Sequence, residues 1–194
     1  MEKLIYMDNA ATTSTAPEVV SAMLPFFTEY YGNPSSVYNF AQKSKMAIED
    51  AREIIADSIG AAKSNEIYFT GGGSESDNWA LKSAAFGLRD KGNHIITTKI
   101  EHHAILNTCA YLEKNGFEVT YLDVDSEGFV SLEDVENAIT EKTILISVMF
   151  ANNEIGTIEP VCEIGEIAHK HGILFHTDAV QAMCHVPINV TEMN

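Results

Sequence analysis

Hydrophobic and polar positions along this chain follow two periods. Ala47, Ile48, Ala51, Ile54 and Ile55 recur at helical spacing and predict a long amphipathic helix that ends at Gly60, a C′ residue. Before it, Thr15-Ala16-Pro17-Glu18 reads as a capping box with proline at N1 and opens a helix to about residue 30. Gly32-Asn33-Pro34-Ser35-Ser36 reads as a loop between the two. From residue 60 onward, strand and helical patterns take turns. Strands are predicted over 66–70, 94–98, 117–122, 143–149 and 173–177. Helices are predicted over 74–92, 103–115 (closed by Gly116), 131–140 (capped by Ser131, with Asp134 in its first turn) and 160–170 (stopped by Gly172). The run 143–149 is apolar throughout, as expected of a strand covered on both faces.

This alternation predicts an α/β protein of three layers, with a mostly parallel sheet and helices on both of its faces. Open sheets of that kind bind ligands at the C-terminal ends of their strands. Polar clusters stand at four such ends: residues 71–76, Glu101-His102-His103, Asn152-Asn153-Glu154, and Asp178. Four groups at four strand ends are placed to converge on one site.

Composition narrows the field. At 194 residues the chain is long enough for a sizeable core. A formal charge of −16, with only 12 scattered Lys and Arg, argues against nucleic acid, which needs a basic patch. No apolar run approaches the roughly 20 residues that span a bilayer. The N-terminus lacks the basic and apolar regions of a signal peptide, so the expected location is cytoplasmic. Cys109, Cys162 and Cys184 are odd in number and lack C-x-x-C spacing, against a disulfide framework or a structural zinc site. His102, His103, His176, His185 and Cys184 match no zinc spacing, so no metal is expected. Neither Cys162 nor Cys184 carries a nucleophile signature.

The motifs have two readings each. Gly71-Gly72-Gly73-Ser74-Glu75-Ser76 joins a strand to a helix, and is either a phosphate cradle of backbone N–H groups with a serine hydroxyl or a tight turn. Asp178 either caps a helix or faces a heterocyclic N–H⁺. His102 is either a helix-start histidine or a ring that stacks on an aromatic cofactor and moves protons.

Six motifs occur in order along the chain. Tyr6-Met7-Asp8-Asn9-Ala10-Ala11-Thr12-Thr13, Gly32-Asn33-Pro34-Ser35-Ser36, Phe69-Thr70-Gly71-Gly72-Gly73-Ser74-Glu75-Ser76-Asp77-Asn78, Glu101-His102-His103-Ala104, Asn152-Asn153-Glu154-Ile155-Gly156 and His176-Thr177-Asp178-Ala179-Val180-Gln181 span nearly the whole chain. Together they resemble NifS/IscS-type cysteine desulfurases of the class V aminotransferase family. The resemblance departs at Val37-Tyr38-Asn39-Phe40-Ala41, where the family often has a histidine and then a glycine in a loop near the partner subunit.

The resemblance implies pyridoxal 5′-phosphate (PLP) as cofactor and a homodimer of fold type I. It makes this chain part of the large domain of the PLP-dependent transferase (aspartate aminotransferase-like) fold. Residues 1–15 would be an N-terminal arm that joins the small domain in a full-length member, and 16–194 an incomplete PLP-binding large domain. By the same resemblance Gly73 and Ser74 bind the cofactor phosphate, with Ser74 keeping the hydroxyl of the family's usual threonine. His102 stacks on the pyridine ring and shuttles protons. Asn153 and Gln181 contact the phenolic-oxygen side, and Asp178 pairs with the pyridinium nitrogen. The implied reaction takes sulfur from L-cysteine, leaving L-alanine and an enzyme persulfide for iron–sulfur cluster or thio-cofactor assembly. An iron–sulfur scaffold or sulfur-acceptor protein is the implied partner, and neither nucleic acid nor membrane. The Schiff-base lysine, the mobile loop with the sulfur-accepting cysteine and the small domain follow Gln181 in the family. This chain is therefore expected to be an N-terminal half, inactive alone. A selenocysteine lyase, another class V enzyme, and a non-catalytic scaffold or interaction domain are the alternatives.

Overall fold

The computed structural model describes residues 5–194, in two compact units that divide between Tyr68 and Phe69. The first unit is helical. Helix α1 (Pro17–Thr28) has proline at N1 as expected, but Ala16 sits at the N-cap and no side chain caps it, so the predicted capping box does not form. Helix α2 (Asn39–Ile59) ends where predicted, with Gly60 in the left-handed conformation (φ 69°) that glycine adopts without a Cβ penalty. Ser44 Oγ donates to the Tyr30 carbonyl at 2.6 Å and fixes α2 against the loop after α1.

The predicted strand at 66–70 is absent. Ser64–Glu66 winds into a 3₁₀ turn, and the sheet does not include the residues that follow. Local bonds win here: the Glu66 carboxylate accepts from Ala62 N at 3.2 Å, and Ile67 N donates to the Ser64 carbonyl at 3.1 Å.

The second unit is a three-layer α/β structure. Its sheet runs in the order β2-β1-β3-β4, with β1 (His94–Thr98), β2 (Glu118–Leu122), β3 (Thr143–Ser147) and β4 (Leu174–His176) all parallel. Ile95 pairs with Leu145 and Ile96 with Ile146, so the period-2 alternation sends each pair to a different face. Ile95 and Leu145 pack on Leu81 and Ala85 of α3 (Gly73–Gly87) and on Ile105, Cys109 and Leu112 of α4 (His103–Lys114). Ile96 and Ile146 pack on Val135 of α5 (Leu132–Ala138) and on Ile164 and Ala168 of α6 (Val161–His171). Helix α3 stops at Gly87, short of the predicted 92, where turns carry the chain to β1. Ser131 caps α5 by accepting from Asp134 N, and Gly172 closes α6 in the left-handed conformation.

After β4 the chain makes successive turns rather than a helix, and Ala182 and Met193 bury against Phe150 and Val161. Among the described residues no helix is long and apolar enough to cross a membrane.

Candidate functional site

The site lies in the second unit, at the C-terminal ends of β1, β3 and β4. Helix α3 begins there with Gly73, and the amides of Gly73 and Ser74 meet no acceptor among the described residues. Two free N–H groups at the positive end of a 15-residue helix are suited to an anion. The loop before them is tied down. The Glu75 carboxylate accepts from Gly71 N at 2.6 Å, and Thr70 Oγ1 bonds Ser76 Oγ at 2.7 Å. A Cβ on Gly73 would lie 2.9 Å from Val180 Cγ2. Only glycine therefore lets the turn after β4 pack so closely on the first residue of α3.

Asp178 sits in that turn. Its Oδ1 accepts from Val180 N at 3.0 Å, an Asx turn rather than the cap of a helix. Its backbone is held by the extension of β3: Phe150 N donates to the Asp178 carbonyl at 2.9 Å, and Val148 N to the His176 carbonyl at 3.1 Å. Gln181 follows, half-buried, three residues on.

Behind Asp178 lies a buried polar row. Asp77 is one turn beyond Gly73 on the same face of α3, and is buried with its Oδ1 3.9 Å from His176 Nε2. His176 Nδ1 in turn meets Ser147 Oγ at 2.9 Å. Burial, with the Asp178 carboxylate nearby, pushes the Asp77 carboxyl up to about 7. Burial pushes His176 down to about 4, so the imidazole is neutral near pH 7.

His102 caps α4: its Nδ1 accepts from Ala104 N at 3.1 Å, which puts the ring proton on Nε2. The ring is exposed at the mouth of a cleft of about 340 Å³ that Asn153 also lines. Gly73, Ser74, Asp178 and Gln181 are outside that lining, clustered instead around the start of α3 and the end of β4. Asn152, not Asn153, builds the loop. Its Nδ2 donates to the Ile100 carbonyl at 3.0 Å, and its Oδ1 accepts from Glu154 N and Ile155 N.

Sequence reasoning missed Asp77, Glu101, Ser147 and Asn152 as individual residues. For Asp77 the signal was available, as a carboxylate four residues after Gly73 on one helical face. For the others it was not, because their partners come from distant strands.

Among the described residues no group of three or more His, Cys, Asp or Glu is placed to hold a metal. The three cysteines are free, and burial pushes the Cys109 thiol up to about 12, where it is inert.

The chain as a whole is similar to known proteins. The family model described as aminotransferase class-V matches residues 5–194. Cysteine desulfurase IscS of Clostridium botulinum (strain Kyoto / Type A2) is 64% identical over 194 residues, all of this chain and 49% of that protein. Cysteine desulfurase IscS of Methanosarcina thermophila is 63% identical over 192 residues, 99% of this chain and 47% of that protein. The solved structure described as SspA in complex with cysteine superposes with a TM-score of 0.94 at 46% identity, covering 97% of this chain and 54% of that one. The chain thus spans about half the length of the curated relatives it matches. A match over all but the first four residues, on the fold described above, leaves one conclusion: this chain belongs to the aminotransferase class-V family.

Proposed function

We propose that this chain carries the cofactor-binding half of a PLP-dependent cysteine desulfurase. The observation that carries the reading is the meeting, around one packed turn, of two unengaged helix-start amides at Gly73 and Ser74 with the carboxylate of Asp178. The anion end and the cation end of a pyridine phosphate need those two groups on neighbouring elements. Identity of 64% to a cysteine desulfurase over the whole chain supports the same reading.

The residues present fit the cofactor. Gly73 and Ser74 would take the phosphate, with the Ser74 hydroxyl as a third donor. Asp178 would hold the proton on the ring nitrogen, while the Asx bond to Val180 leaves its second oxygen for that contact. His102, with its proton on Nε2 and its ring exposed, would stack and pass protons. Asn153 and Gln181 would reach the phenolic-oxygen side. When bound, PLP supplies the electron sink that makes bonds at an amino acid's α-carbon breakable.

In this reading the lysine that anchors the cofactor and the cysteine that accepts sulfur fall outside these 194 residues. Residues 1–15 serve as an arm and 16–194 as part of the large domain. The whole protein acts as a cytoplasmic homodimer that takes sulfur from L-cysteine and hands it to an iron–sulfur scaffold or another acceptor. The test is alanine release by the full-length protein, loaded with PLP, from L-cysteine and from L-selenocysteine in parallel. Alanine from cysteine, lost on Asp178→Ala, supports the proposal. Turnover of selenocysteine alone replaces it with a lyase. Turnover of neither, in a folded and PLP-loaded protein, overturns it.

A further inference from the structure

We infer that Glu101 is a positioning residue: its neutral carboxyl staples the turn between β1 and α4 to the end of β3, and so sets the place of His102.

The geometry is specific. Glu101 Oε1 accepts two hydrogen bonds, from Thr98 Oγ1 at 2.8 Å and from Met149 N at 2.9 Å. The first is on β1 just before the turn, and the second just beyond β3. Asn152 makes a second tie between the same two segments through the Ile100 carbonyl. His102 follows directly and starts α4 with its Nδ1 bond to Ala104 N. The imidazole is exposed and its ring makes no other hydrogen bond among the described residues, so its position depends on the backbone of this turn.

The other oxygen explains why the carboxyl must be neutral. Glu101 is only 5% exposed, and its Oε2 is buried with no hydrogen-bond partner among the described residues. A carboxylate leaves half its charge on that oxygen, facing no donor. With a proton on Oε2, Oε1 becomes the carbonyl oxygen, and both of its bonds are kept. Burial pushes the group up to about 8 against the pull of its two donors. The charged and titratable groups around it add little that would ionise it. Asp178 after β4 and Glu159 beyond β3 repel a charge there, and Cys109 on α4 is a neutral thiol. On its own turn, Lys99 is paired with Asp123 at 2.6 Å, and His102 and His103 are exposed at the cleft. Once ionised, the carboxylate gains more by turning toward the water of the cleft than by staying, and the staple opens.

This inference rests on His102 belonging to the proposed site, but it can be tested with no cofactor bound. The full-length protein is labelled at its histidine rings and at the Met149 amide, with His102 assigned by substitution, and both are followed by NMR from pH 6 to 9. In the wild type the Met149 amide and the His102 ring are expected to share an inflection near pH 8. Glu101→Gln keeps an acceptor and cannot ionise. It should abolish that shared inflection. Glu101→Leu removes the acceptor. It should lose the His102–Ala104 bond and expose the Met149 amide at every pH, with the amides of Ile95 and Ile146 still protected from exchange. Survival of the inflection in Glu101→Gln overturns the inference, and so do wild-type His102 signals in a folded Glu101→Leu. If Glu101→Leu does not fold, the Gln variant decides alone. PLP added to the same samples separates the two ideas: the inflection without PLP binding keeps the staple and removes the cofactor reading, and PLP binding without the inflection does the reverse.

Discussion

Residues 5–68 and 69–194 put similar hydrophobic patterns to different use. In 69–194 the alternation of the central strands ends in packed faces: Ile95 and Ile96 are both fully buried, on opposite sides of the sheet. In α1 the apolar residues are as numerous, yet no residue of the helix is buried, and Leu24 and Phe27 are 58% and 69% exposed. An amphipathic period shows that a helix has a face to cover, but does not say what covers it. The same contrast holds for polar groups. The 69–194 unit buries Asp77, Glu101 and Glu159, which helix–loop patterning does not require, and two of these stand within the candidate site.

The largest expected effect tests whether these 194 residues, with the site in 69–194, suffice for chemistry. On the proposed reading the 194-residue chain releases no alanine from L-cysteine above buffer when supplied with PLP, because the anchoring lysine is not among its residues. Turnover at an enzyme-like rate, measured by alanine assay, would sink that reading.

The next effect addresses packing directly. Ile96→Ala removes a fully buried side chain between the sheet and α5–α6, and should cost about 2–5 kcal/mol in urea unfolding. Leu24→Ala in α1 should change stability by no more than about 0.5 kcal/mol. Comparable losses from the two would mean that α1 is covered in solution, and would dissolve the contrast.

How far the sequence carries follows the same division. The start of α5 and the stop of α6 were legible because Ser131 and Gly172 act through bonds within four residues of themselves. The strand at 66–70 was not, since strand character depends on a neighbour, whereas the turn that displaced it is made by Ser64 and Glu66 locally. Among site residues, Asp178 and His102 announce themselves by standing at strand ends. The Asp77–His176–Ser147 row and the Glu101 staple join residues 29 to 99 positions apart or span two strands, and no periodicity encodes such meetings. The Asx turn at Asp178 settles against the helix-cap alternative only once the chain beyond it is seen to make turns.

A ligand comparison sharpens the reading of the site itself. Ser74→Ala should weaken inorganic phosphate and free PLP alike, by about 1–3 kcal/mol for one hydrogen bond to a charged group. Asp178→Ala should weaken PLP far more than phosphate, because only PLP offers a ring nitrogen. Both are measurable by calorimetry, with absorbance as a second readout for PLP. Equal losses of both ligands on Asp178→Ala would reduce Asp178 to the backbone role its Asx turn already shows.

The smallest effect is a slope of stability against pH, and it comes from the buried groups of 69–194. Glu101 has an ordinary value of 4.5 and is pushed up to about 8, and Asp77 goes from 3.8 to about 7. Between those limits the folded chain holds protons that the unfolded chain has released, so stability falls as pH rises through each window. His176 works the other way. Lowered from 6.5 to about 4, it binds no proton in the folded state where the unfolded chain does, so its contribution is lost as pH falls below 6.5. From about 4.5 to 6.5 the histidine offsets only one of the two carboxyls, so stability already falls there, more gently than it does just above 6.5. Above 6.5 only the carboxyls remain, so urea-unfolding free energies should go on declining toward pH 8. Glu101→Gln should flatten the upper part of that decline and Asp77→Asn the part below pH 7, while a double variant should show neither. A decline that persists unchanged in the double variant would place the titrating groups elsewhere and leave Asp77 and Glu101 ionised in the folded chain.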